Sequence, residues 1–90
     1  MQIHVSDIND LLIQEDVEGF IELGAPQDEY ESEAALIAAA ILQLKENERT
    51  EDAILSVMAI IWMNNFNLGD DEMQLRLPAL QRVAHAIVSH

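Results

Sequence analysis

The chain has 90 residues, seventeen Asp and Glu against four Lys and Arg, a formal net charge of −13 and no cysteine. A chain this short buries only about 60% of the surface its unfolded form exposes, which predicts one small domain with a simple core and no room for a large enclosed cofactor cavity. The cysteine count excludes a disulfide frame and a thiolate zinc site, and the 50% hydrophobic content separates the chain from acidic disordered tails.

In chain order, Ser6 followed by Asp7, Ile8, Leu11 and Leu12 predicts a short first helix, N-capped by Ser6 and ending near Gln14. From Glu15 to Tyr30 the pattern breaks at Gly19, Gly24 and Pro26, while Phe20, Ile21 and Leu23 call for burial. This predicts a long ordered loop between helices 1 and 2, with one helical turn around Asp16 to Glu22. The alanine-rich run from Glu29 to Leu44 is apolar nearly all round and predicts a central helix.

Lys45 to Arg49 is a polar turn. Thr50 then caps a third helix through about Asn65, turning Ala53, Ile54, Val57, Met58, Ile61 and Trp62 toward the core. Gly69 is suited to the positive φ of its C-terminal stop. Asp70 starts a fourth helical stretch, within which Pro78 either kinks one helix or separates a turn from a final helix of Ala79 to Val88. With no alternating strand pattern, heptad series or repeat, the expected class is an all-α, four-helix domain.

The charge is asymmetric. Residues 1–44 hold ten acids and neither Lys nor Arg, a net of −10, whereas residues 45–90 hold seven acids and four bases, a net of −3. Self-repulsion of this kind costs stability, and attraction of a strongly basic partner is one use for it; solubility of a very apolar small domain is the other. Nucleic acid is a poor partner, because Lys45, Arg49, Arg76 and Arg82 are each isolated among acids. The same sign disfavours anionic membranes. The first residues carry no basic, apolar leader and the longest apolar run, 34–42, is far shorter than a membrane span, so a cytoplasmic location is expected.

No feature points to catalysis, a cofactor or a metal. His4 and His90 lie at the ends, His85 and His90 fall on different helical faces, and calcium-loop, phosphate-loop and nucleophile-elbow patterns are absent. Ser32 lacks the following Leu of a carrier-protein attachment serine. Tyr30, flanked by Asp28, Glu29, Glu31 and Glu33, suits either a binding hot spot or a plug against Phe20 at the helix start. Met58, Met63, Met73 and Trp62 read as core or helix-facing residues.

Residues 16–33, with Gly24-Ala25-Pro26 and then Asp28-Glu29-Tyr30 as the most specific part, resemble a segment of small YugE-like helical bacterial proteins of unknown function. Similar segments occur in immunity proteins of contact-dependent growth inhibition and other polymorphic toxin systems. Val17 stands where that pattern has Pro. The resemblance implies a helical immunity protein that neutralises a cognate basic toxin domain, of nuclease or tRNase type, in a one-to-one complex. The expected toxin-binding residues are Asp16, Glu18, Glu22, Asp28, Glu29, Tyr30, Glu31 and Glu33, the carboxylates pairing with Lys or Arg and Tyr30 anchoring the contact. The alternative is a helical protein that self-associates, as a homodimer, through its apolar second and third helices.

Overall fold

Apolar residues spaced three and four apart give each helix one core-facing side, and the computed structural model, which describes residues 3–89, shows four of them: α1 (Val5–Glu15), α2 (Glu31–Gln43), α3 (Glu51–Phe66) and α4 (Asp70–Ser89). A 3-10 turn at Glu46–Glu48 joins α2 to α3, and no strand occurs among the described residues. The principal contacts run α1 to α2, α2 to α3, α3 to α4, and α4 back to α1, closing a ring. Ile8 and Leu12, Ala34, Ile37 and Ile41, Ile54, Met58 and Trp62, and Leu80, Val83, Ala84 and Ile87 fill one continuous core from all four sides.

This ring corrects the expectation of a central α2. Its Ala34, Ile37 and Ile41 are buried, but Leu36 and Leu42 are exposed, so the helix has an outward side like the others. On α3, only Ile54, Met58 and Trp62 of the six expected core residues are fully buried, and Met63 faces outward.

The helix ends also differ from expectation in instructive ways. α1 is capped at His4 rather than Ser6, because the Asp7 carboxylate three positions on accepts the His4 N–H at 3.3 Å. Thr50 caps α3 as expected, its hydroxyl accepting from the Ala53 N–H at 3.2 Å. The stop of α3 is Asn67, at φ 53°, and not Gly69. Gly69 instead opens α4: its carbonyl accepts from Met73 N–H and its own N–H donates to the Glu72 carboxylate. Asp70, Asp71 and Glu72 lie in the first turn, where the helix dipole favours acids.

α4 continues through Pro78 as one helix, so there is no separate final helix. Proline removes one i→i−4 hydrogen bond there and crowds the preceding turn. Pro78 is exposed, and Pro78→Ala is expected to raise stability by about 1–2 kcal/mol, measurable as a higher urea midpoint at constant m.

Candidate functional site

The 16–30 segment is ordered by its own carboxylate. Asp16 ends α1 in the left-handed region at φ 48°, a conformation Asp tolerates better than most residues. From there its Oδ1 accepts the Ile21 N–H and its Oδ2 the Glu22 N–H, both at 3.0 Å. The expected helical turn is therefore shifted: α1's left-handed stop precludes it at Asp16, and the i→i+4 bond from Leu23 N–H to Gly19 carbonyl places it at Gly19–Gly24. Gly19 and Gly24, at φ 77° and 100°, bracket that turn in conformations few other residues adopt.

Aromatic packing fixes the segment to the bundle. Phe20 stacks on Tyr30, Tyr30 on Trp62, Trp62 packs on Phe66, and Phe66 returns to Phe20, with centroids 5.0–5.9 Å apart. These four are all the aromatic side chains the sequence contains. Tyr30 is 0% exposed. Its hydroxyl donates to Asp16 Oδ1 and accepts from the Glu18 N–H, each at 2.9 Å. Of the two roles the sequence allows for Tyr30, the structure shows the internal plug, and a buried ring corrects its assignment as a surface anchor.

Glu18 is internal as well. Its carboxylate accepts Trp62 Nε1–H at 2.7 Å, Arg76 Nε–H at 2.8 Å and Arg76 Nη2–H at 3.2 Å, with the Glu18 side chain only 8% exposed. One carboxylate thus ties the loop to both α3 and α4. Glu33, 8% exposed in the first turn of α2, accepts from Asn65 Nδ2–H on α3 at 3.1 Å. A second ion pair, Arg82 to Glu15 at 2.8 Å, joins α4 to the end of α1.

The eight sequence-predicted residues accordingly divide in two. Asp16, Glu18, Tyr30 and Glu33 are engaged in holding the fold. Glu22, Asp28, Glu29 and Glu31 are exposed, and among the described residues none of these four carboxylates has a salt bridge or side-chain hydrogen bond. Between them Leu23, expected to need burial, is 84% exposed at the tip of the Gly19–Gly24 turn. Burial pressure alone points the wrong way there: Leu23 closes the turn through its N–H on the Gly19 carbonyl, while Phe20 and Ile21 of the same turn take the places against the core.

The electrostatics of the inner set follow from these bonds. Burial opposes ionisation of Asp16, but hydrogen bonds from the Ile21 and Glu22 N–H groups and the Tyr30 hydroxyl outweigh it and hold the carboxyl below its ordinary value. Burial pushes the Tyr30 phenol up to about 12, with the Asp16 hydrogen bond and charge acting in the same direction. Hydrogen bonding to Glu18 holds the Arg76 guanidinium further toward its charged form. A phenol raised in the folded state stabilises the fold fully below the unfolded value of 10.0 and loses that contribution as pH rises toward about 12. Alkaline unfolding is expected across that window, with the tyrosinate absorbance appearing together with the loss of helical circular dichroism. Asp16, with its pKa lowered, contributes above the ordinary value of 3.8, and that part is lost on acidification through and below it.

Among the described residues, no group of three or more His, Cys, Asp or Glu is placed to hold a metal ion, and no helix is long and apolar enough to cross a membrane. His85 Nδ1 meets Glu51 Oε1 at 2.7 Å on the α3–α4 surface; His90 lies outside the described residues. No protein-family model matches the chain, and neither a curated protein nor a solved structure matches it.

Proposed function

We propose that the protein is an immunity protein that binds a cognate basic toxin domain, of nuclease or tRNase type, in a one-to-one complex. Glu22, Asp28, Glu29 and Glu31 supply the charge, and Leu23 the apolar contact at the turn tip. The observation that carries this reading is the pairing of exposure with rigidity. Among the described residues these four carboxylates, within ten positions of the chain, have no internal partner, yet the loop and the α2 start that present them are pinned by the aromatic ring and by the Asp16 and Glu18 networks. A pre-organised surface loses little entropy on binding. Two of the four cations, Arg76 and Arg82, already neutralise Glu18 and Glu15, so they do not offset the outward charge. A toxin that cleaves nucleic acid carries a basic cleft for its polyanionic substrate, and carboxylates placed where phosphates lie would both block it and accelerate encounter.

The clean test reverses charge only where it faces solvent. Glu29→Lys with Glu31→Lys is expected to fold normally, while Glu33→Lys would place a cation at a buried position and confound the result. Where an adjacent reading frame encodes a basic toxin domain, the double variant should fail to co-purify with it and fail to protect cells from it. Full protection by the variant would remove this surface from the interface. The exposed Leu36 and Leu42 on α2 and Ile60 and Met63 on α3 support a second reading, self-association with acidity serving solubility. A homodimer whose dissociation in sedimentation is insensitive to salt would favour it.

A further inference from the structure

A surface helix ordinarily sets polar residues opposite its buried stripe. α2 does not. With about 100° between successive residues, Ala35, Leu36, Ala39 and Leu42 share the side opposite Ala34, Ile37 and Ile41, and all four are exposed, Leu42 to 71%. At the head of this stripe lies an open depression of ≈ 340 Å³ lined by Asp28, Glu31, Ser32 and Ala35. The acidic surface and the apolar stripe therefore meet at Ala35 and form one continuous strip.

We propose that this strip docks a basic amphipathic helix of the partner, its apolar side on Ala35, Leu36, Ala39 and Leu42 and a Lys or Arg reaching from that side into the depression between Asp28 and Glu31. The proposal rests on the basic-partner reading and extends its contact along α2. Ala35 and Ala39, four apart, leave a shallow groove that lets a second helix approach closely, with Leu36 and Leu42 as its walls. The stripe runs about 10 Å, the length of two helical turns, which matches an i, i+3, i+4, i+7 set of apolar residues. A long cationic side chain can lay its methylenes on Ala35 while its charged head meets the carboxylates. A second copy of the chain fits poorly, since each carries a formal charge of −13 and like charges brought together oppose association.

The probe is a synthetic helix of about 18 residues with leucines in that one-sided register and lysines flanking them, compared with a helical peptide of the same composition whose leucines are spread around the axis. Binding is read on the full chain by calorimetry and by amide shifts in NMR. The one-sided peptide is expected to shift Ala35, Leu36, Ala39 and Leu42 together with Asp28 and Glu31. Ala39→Gln with Leu42→Gln should weaken it at least tenfold at unchanged helicity. Equal binding of the two peptides, or shifts confined to 22–31, overturns the groove and leaves the acidic reading standing. Loss of shifts at the acids as well removes both. A concentration-dependent dimer protecting the same four residues identifies a second copy as the occupant and overturns the proposal.

Discussion

Glu18→Ala is expected to cost about 2–4 kcal/mol, because it strips three donated hydrogen bonds from groups that have little access to water. Arg76 and Trp62 Nε1 both terminate on that carboxylate, and removing one partner of a buried ion pair leaves the other charge uncompensated. The partial exposure of Arg76, 24%, places the loss below the largest known for such pairs. In a chain of this size the melting temperature should fall by roughly 10–25 °C. The double variant Glu18→Leu with Arg76→Met should recover much of the loss, since no orphaned charge remains. If Glu18→Ala unfolds at the same urea concentration as the parent, the Glu18 carboxylate is not a structural tie.

Tyr30→Phe should cost about 2–3 kcal/mol while leaving ring packing intact. The hydroxyl bridges a carboxylate and a backbone N–H, so its removal deletes one charge-assisted and one ordinary hydrogen bond. The substitution separates the two roles the sequence allows. A hot-spot tyrosine loses partner affinity when truncated, whereas this one is expected to lose stability alone. The Asp16 carboxyl should also titrate closer to its ordinary value, because one of the bonds that lower it is gone. NMR titration of Asp16 in both proteins reads this directly.

Much of the fold is legible in the sequence because its cues are local. Thr50 ahead of Glu51 and Asp52, and Asp70 with its acidic first turn, mark helix starts within a few residues, and both stand where expected. The Asp16 cap is local too, since its acceptors serve N–H groups five and six positions on. The destinations of Glu18 and Glu33 are not local. Glu18 meets donors 44 and 58 residues away, and Glu33 one 32 residues away. Nothing in a run of acids distinguishes a carboxylate that finds such a partner from one that faces water. Charge asymmetry therefore marks an acidic half but cannot sort its residues into inward and outward ones.

The position of α2 was illegible for a different reason. An alanine-rich helix that is apolar all round is consistent with burial on every side, and also with burial on one side and exposure on the other. Exposure of Leu36 and Leu42 decides between them, and that depends on how three other helices close their ring.

Sorting the acids into those that hold the loop and those that face outward has a direct consequence for binding. If the proposed basic toxin domain is the ligand, the dissociation constant of Glu29→Lys/Glu31→Lys should rise at least tenfold, with most of the change in the association rate and a weaker dependence on salt. Tyr30→Phe, measured well below its unfolding transition, should bind like the parent. Unchanged affinity on charge reversal, or loss of affinity in folded Tyr30→Phe, would contradict the division of this surface into an inner framework and an outer acidic interface.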